Sequence, residues 1–150
     1  MPRIQEPAPR VPRVVSSRWT PALTEKGWTP VSDYFLDNYT RLTPALTNNE
    51  ALLVIHLMRH KWDNAPPFPG FKTLARRMGM TDTSVRNHAR SLERKGYLKR
   101  TKRVGTTNLF DLTLLFQALE KLQAYQEGER DARAKAQRRR ERKTAAAAEA

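Results

Sequence analysis

The chain has 150 residues, enough for one domain with extensions at its ends. It contains no cysteine, which excludes disulfide bonds and thiolate chemistry at a metal or a nucleophile. Its formal net charge of +13 favours a polyanionic partner. The longest apolar run, Ala51 to Ile55, is far too short to cross a membrane, and the first residues lack the apolar segment of a secretory signal. We therefore expect a cytoplasmic protein.

Residues 1–27 are rich in proline and show no sustained helical or strand period, so they are expected to form a disordered arm. Trp19 and Trp28, the latter directly after this segment, are unusual there, because large apolar side chains are rarely fully solvated in a disordered tail. A short helix is predicted over residues 31–39, with the packing residues Val31, Phe35 and Leu36.

A stronger helix signal follows at Thr47. Thr47 and Glu50 have the spacing of a capping box, in which each side chain binds a free backbone N–H group of the other. The helix is predicted to run to about His60, and its wide apolar face is typical of a central core helix, with Ala51, Leu52, Val54, Ile55 and Met58. Residues 61–70 contain several prolines and are predicted to form a loop.

Two more helices are predicted around a glycine turn. The first runs from Phe71 to Met78 and ends at Gly79. The second covers residues 81–95, with Thr81 as its N-cap residue. Gly96 stands where a left-handed C-terminal cap is needed. Eleven Lys/Arg and only two acidic residues lie between positions 71 and 103, a local net charge of +9, so this unit holds most of the excess charge.

The helix over residues 81–95 has two different faces. At 100° per residue, Val85, Ala89 and Leu92 lie together and should face the core. The opposite side and its flanks carry side chains that bind base edges or phosphates in DNA, namely Thr83, Ser84, Arg86, Asn87, Arg90 and Arg94. A merely solvated polar face is the alternative reading of this pattern.

A basic hairpin is predicted next, from Tyr97 to Arg103 and from Thr107 to Leu112, with its tip at Val104-Gly105-Thr106. Strand alternation places Arg100 on the opposite side from Lys99. The expected DNA contacts of the basic wing over residues 98–108 are Arg100, Lys102, Arg103 and Thr106. Lys72 and Thr81, at the N-termini of two helices, are expected to hold phosphates.

The segment LARRMGMTDTSVRNHARSLERKGYLKRTKRVGTTNLFDL resembles a winged helix-turn-helix domain. The residues at the expected places are Leu74, Gly79, Thr81, Val85, Leu92, Gly96, Tyr97 and Leu98. The wider frame, over roughly residues 28–116, is similar to the winged helices of phage and plasmid replication-initiator and replisome-organiser proteins and of bacterial transcription regulators. The resemblance implies a mainly α fold with a two-stranded basic wing and flexible termini.

A last helix is predicted from Leu114 to about Tyr125, with an apolar stripe at Leu115, Leu119 and Leu122. The stripe can pack on the domain or on a second copy, so a homodimer stays open. The charged segment beyond it is either a helix or a disordered arm that neutralises phosphates. The expected division of the chain is therefore an arm over 1–27, a winged helix-turn-helix domain over 28–125 and a charged extension over 126–150.

We expect a sequence-specific binder of double-stranded DNA, a transcriptional regulator associated with the bacterial nucleoid. Two alternatives stay open: a replication initiator or helicase-loading adaptor of a mobile element, which would need a replication protein as partner, and a module whose basic face binds an acidic protein. No catalytic motif is visible, so we expect neither an enzyme nor a cofactor. His56 and His60 are four apart on one helix, a spacing that can bind metal, but the sequence offers no further ligands and no metal is expected.

Overall fold

The computed structural model describes residues 14–149, and within them helices dominate. The helices are α1 (Val15–Arg18), α2 (Pro21–Thr24), α3 (Asp33–Asn38), α4 (Asn48–Met58), α5 (Phe71–Met78), α6 (Asp82–Arg94) and α7 (Thr113–Glu149). Two short strands, β1 (Lys99–Thr101) and β2 (Leu109–Asp111), lie between α6 and α7. None of the helices in this part of the chain is long and apolar enough to span a membrane.

The expected N-terminal arm contains regular structure where it is described. Residues 14–27 include the two single-turn helices α1 and α2, and residues 1–13 lie outside the described part of the chain. The second turn has a local cause: Thr20 accepts a hydrogen bond from the Leu23 backbone N–H at 3.2 Å, and Pro21 fixes the first helical position. Neither turn buries a side chain, and only α2 has a side-chain cap.

The capping box that begins α4 is confirmed. Thr47 Oγ1 accepts from the Glu50 backbone N–H at 3.1 Å, and Glu50 Oε1 accepts from the Thr47 backbone N–H at 2.9 Å. Glu50 is itself buried at 1% exposure, and Lys95 at the end of α6 donates to the same Oε1 at 2.5 Å. The box therefore also joins α4 to α6, a tertiary link that the sequence pattern did not indicate.

The core face of α4 is rotated relative to the prediction. Leu53 and Leu57, which were not predicted to pack, are fully buried, whereas Leu52 was predicted to pack and is exposed. The prediction was wrong at Leu52 because almost every position on this helix is apolar, so the periodicity gave no sharp boundary between its faces.

The helix-turn-helix agrees closely with the sequence. α5 ends at Gly79, whose φ of +63° is left-handed and suits glycine. α6 begins after Thr81, which caps it by accepting from the Ser84 backbone N–H. It closes with Gly96 at a φ of +81° and a hydrogen bond from the Tyr97 N–H to the Leu92 carbonyl. The predicted inner face of α6 is fully buried against α4 and α5.

The wing is a two-stranded antiparallel sheet, shorter than the predicted hairpin. Its pairs are Lys99 with Asp111, Arg100 with Phe110 and Thr101 with Leu109. Phe110 is buried, and its backbone N–H donates to the Pro67 carbonyl at 2.9 Å, so the loop before α5 packs beside the sheet. Three helices followed by this sheet make the predicted winged helix-turn-helix, and the fold class is confirmed.

α7 is far longer than predicted. It begins on the core with Leu115, and its last side-chain hydrogen bonds to the domain are made by Gln126, which accepts from the Tyr34 hydroxyl at 2.8 Å and donates to Asn38 at 3.0 Å. The helix nevertheless continues to Glu149, with every residue of 127–149 exposed. The predicted end near Tyr125 was wrong, and of the two alternatives left open for the charged segment the helix is the one observed. Its residues are mostly Ala, Arg, Lys and Glu, which favour helix even without packing.

Candidate nucleic-acid interface

The outward face of α6 projects a row of polar side chains. Asn87, Arg90 and Arg94 are exposed opposite the buried Val85 side of the helix, and Arg86 is exposed on the flank of this face. Thirteen residues at 1.5 Å each make α6 about 20 Å long, a length that fits within the major groove of duplex DNA. The structure thus brings these predicted residues together on one accessible face.

The N-terminus of α6 holds the predicted hydroxyl groups. Thr81 caps the helix and also donates from its hydroxyl to Ser84 Oγ at 3.0 Å, so these two side chains already have internal partners. Ser84 is half-buried, whereas Thr83 is exposed. Lys72 is exposed in the first turn of α5. Of this group, Lys72 and Thr83 are the side chains whose polar atoms are most accessible to a ligand.

Phe71 forms a platform between α6 and the wing. Its ring is buried at 8% exposure and packs edge-to-face on Phe110, with centroids 5.7 Å apart. The guanidinium groups of Arg86 and Arg100 lie over the ring, 4.6 and 5.4 Å from its centroid. Cation–π contacts of this kind restrict where a long side chain can go. Arg86 is therefore held in place at the edge of the interface, whereas the side chains of Asn87 and Arg90 are exposed to solvent.

The wing cations differ sharply in their surroundings. Arg100 forms an ion pair with Glu93 of α6, and its side chain is only 13% exposed. Arg103 donates to the Thr107 carbonyl at 2.8 Å and lies 5.2 Å from the centroid of Phe68. Lys102 is exposed and has no salt-bridge partner within residues 14–149. Sequence alternation gave the side of Arg100 but not its pairing, because Glu93 belongs to a different element.

The tip of the wing is open. Gly105 has a left-handed φ of +70°, which makes the tight turn possible. Val104 and Thr106, which flank it, are both exposed, and Val104 makes no core contact. Lys102 and Thr106 are therefore the wing positions with the freest access to a phosphate or a groove.

His56 of α4 and His60, two residues beyond the end of that helix, meet cations instead of further ligands. Arg77 donates to His60 Nε2 across 2.8 Å, so this ring nitrogen is already hydrogen-bonded to a guanidinium. Burial, followed by the charges of Arg77 and Arg59, lowers the pKa of both His56 and His60. Within the described residues, no three His, Asp or Glu side chains stand close enough together to hold a metal ion.

The apolar stripe of α7, which was expected to pack either on the domain or on a second copy, packs inside the chain. Leu115 is fully buried, and Leu119 and Leu122 are half-buried against the same core. This face of α7 therefore packs on the domain itself. A small domain needs such cover, because it buries a smaller fraction of its surface than a large one.

Residues 45–98 match the model of a protein family described as a helix-turn-helix domain. The matched segment contains α4, α5 and α6 and ends one residue before β1. A search of curated protein sequences found no match to the chain. With the sheet that follows, the segment is a winged helix-turn-helix domain. Domains of this class place the second helix of the helix-turn-helix in the major groove, so the match points to DNA binding.

Proposed function

We propose that the protein binds double-stranded DNA at specific sequences and regulates transcription there. The observation that carries the proposal is the two-sided α6: Val85, Ala89 and Leu92 are completely buried, and the opposite face is exposed and rich in hydrogen-bond donors. Burial of one side fixes the orientation of the helix, so the other side presents Asn87 and Arg90 in a constant arrangement.

The chemistry of that face suits base recognition. Arginine binds the O6 and N7 atoms of guanine with two hydrogen bonds, and asparagine binds the N6 and N7 atoms of adenine. Asn87 and Arg90 are three apart and lie on the same side of the helix. Arg86, Arg94, Lys72 and the wing would then contact the backbone phosphates, which set affinity and register but carry no sequence information.

The test begins with selection of duplexes from a random pool, followed by binding measurements at the selected site. Replacing Asn87 or Arg90 with Ala should weaken specific binding by about 1–3 kcal/mol and change non-specific binding much less. Arg41→Ala is a matched control, because Arg41 is exposed but lies before α4. Wild-type affinity in both α6 variants would refute the assignment of α6 as the recognition helix.

A replication initiator or helicase-loading adaptor is the second candidate. The observation that favours it is a large exposed surface, outside α6 and the wing, on which the tryptophans of the chain converge. Such a surface allows DNA binding to be coupled to a second ligand. Repeated, non-palindromic sites in the selected pool would favour this candidate, and a palindromic site would favour a regulator that binds DNA as a dimer. A preference for an acidic protein over DNA would support neither.

A further inference from the structure

The chain has three tryptophans, and all of them line one groove. Trp19 is 73% exposed, Trp62 is 67% exposed and Trp28 is 46% exposed. The groove has a volume of about 1220 Å³ and lies between the N-terminal turns, α3 and the outer side of α4. Large exposed rings gathered in one place are uncommon on a protein without a ligand for them, because each one costs apolar burial.

The groove is a separate surface from the proposed duplex site. Its walls come from residues 15–36, from 55–59 at and just after the end of α4, and from Trp62, and none of its lining residues belongs to α6 or to the wing. Whatever binds in this groove therefore does not compete for the side chains that would read a duplex.

The contact between two of the rings leaves a large part of their surface accessible. Trp28 and Trp62 meet edge-to-face, with centroids 6.0 Å apart and planes at 83°, so they do not stack on each other. The Trp62 indole N–H donates to the Arg59 carbonyl at 3.1 Å, which fixes the orientation of that ring. A ring with its polar atom satisfied and its face exposed offers chiefly a stacking surface to a ligand.

Cations lie between these rings. Arg18, Lys26 and Arg59 line the groove, and Asp33 is the one acidic side chain among its lining residues. Arg18 is adjacent to Trp19 in sequence, and Lys26 is two residues from Trp28. Alternating aromatic and basic side chains are the arrangement by which proteins bind single-stranded nucleic acid, with bases stacked on the rings and phosphates near the cations.

We propose that this groove binds single-stranded DNA, with unpaired bases stacked on Trp19, Trp28 and Trp62. A duplex does not fit the same chemistry, because the faces of its bases are covered by their neighbours. An acidic peptide would meet the cations, but only its occasional aromatic side chains could stack on the rings, whereas every nucleotide carries a flat base beside its phosphate. The choice of DNA over RNA rests on the proposed duplex-binding function; the stacking groove itself does not.

The test uses the full-length protein and its own tryptophan fluorescence. Because every tryptophan is in the groove, emission reports on this surface and on no other. Titration with oligo(dT) of fifteen nucleotides at low salt should quench the emission, and a duplex of equal length should quench it much less. Oligo(rU) of the same length tests the choice of DNA, and tighter binding of oligo(rU) than of oligo(dT) would overturn it.

Variants then locate the binding, with affinity measured by anisotropy of a labelled oligo(dT). Trp19→Ala and Trp62→Ala should each weaken binding about five-fold or more, since a stacked base contributes about 1–3 kcal/mol. Tyr125→Ala is the matched control, because Tyr125 is 66% exposed and lies outside the groove. Arg90→Ala should leave oligo(dT) binding unchanged while it weakens duplex binding, so failure of one site can be told from failure of the other.

Two results would overturn the proposal. They are the absence of quenching by oligo(dT) and wild-type affinity for oligo(dT) in both tryptophan variants. In the first case, quenching by a helical Leu/Glu peptide would make the groove a peptide-docking surface. Thermal unfolding of each variant provides the folding control, and because Trp19 and Trp62 are mostly exposed, the unfolding temperature should not change.

Discussion

The wing allows a sharp test of which cations face DNA, because two neighbouring basic residues have opposite surroundings. Lys102 is exposed without an acidic partner among residues 14–149, whereas Arg100 is paired with Glu93 and lies over the Phe71 ring. A cation that is already neutralised within the protein has little to contribute to a phosphate. We therefore expect Lys102 to contact the DNA backbone and Arg100 to fasten the wing to α6.

The magnitude follows from counterion release. Each phosphate contact contributes about 0.9 to the slope of log K against log salt. Lys102→Ala should therefore reduce the slope by about 0.9, so between 50 and 200 mM salt the wild type should lose about 3.5 times more affinity than this variant. Removing Arg100 and Glu93 together leaves no uncompensated charge, and this double Ala variant should keep the wild-type slope. Its expected cost is about 1 kcal/mol in the free energy of unfolding.

The assay is a salt titration of binding to one duplex by fluorescence anisotropy, with urea denaturation of the same variants. A double variant whose slope falls as far as that of Lys102→Ala would refute the reasoning, because Arg100 would then leave Glu93 to contact a phosphate. An unchanged slope in Lys102→Ala would remove the wing from the DNA altogether.

Three further predictions concern stability, each measured by urea or thermal denaturation. Glu50→Gln should cost about 2 kcal/mol at neutral pH, because it breaks the inner ion pair with Lys95. Burial raises the pKa of Glu50, but hydrogen bonds from Lys95 and Thr47 outweigh the effect of burial, so the net pKa is lowered. The ion pair therefore stabilises the fold above the ordinary carboxyl pKa. The cost of Glu50→Gln should shrink as the pH falls through the lowered pKa. Gly79→Ala should cost about 1 kcal/mol because its φ is +63°, and Gly79→Asn should cost less. A chain ending at Gln126 should keep the unfolding temperature of the domain, since residues 127–149 are all exposed; a clear drop would mean that this segment packs on the domain.

The parts of the fold that the sequence predicted best are those with local signals at their ends. α5 and α6 begin and end within one residue of their predicted limits, because Gly79, Thr81 and Gly96 act on backbone groups only a few residues away. α7 had no such stop signal, and its end was misjudged by more than twenty residues. Gly128 lies inside it without ending it, since one glycine costs a helix only about 1 kcal/mol.

The same distinction, between local signals and contacts that join distant elements, applies to the candidate site. The exposed face of α6 follows from periodicity alone, since a helix with one apolar stripe must turn its other side to solvent. The pairing of Arg100 with Glu93 and the stacking of Arg86 on Phe71 join different elements, so no pattern within one element encodes them. The only sequence signal for the tryptophan groove was the presence of two large apolar rings in a proline-rich segment. The third ring, Trp62, comes from the loop that precedes α5, so no local pattern connects it to the other two.

The exposed part of α7, residues 127–149, has a consequence for how stability is distributed along the chain. Backbone hydrogen bonds in residues 127–149 can open without any disturbance of the core, because every side chain there is exposed. Gly128 is the weakest helix former in that segment and stands two residues after Gln126, where the side-chain hydrogen bonds to the domain end. Amide protons beyond this glycine should therefore exchange with solvent through local fraying, while those around Leu53 and Leu92 exchange only when the whole domain unfolds. One continuous helix thus contains two regions of very different protection, with the boundary at Gly128.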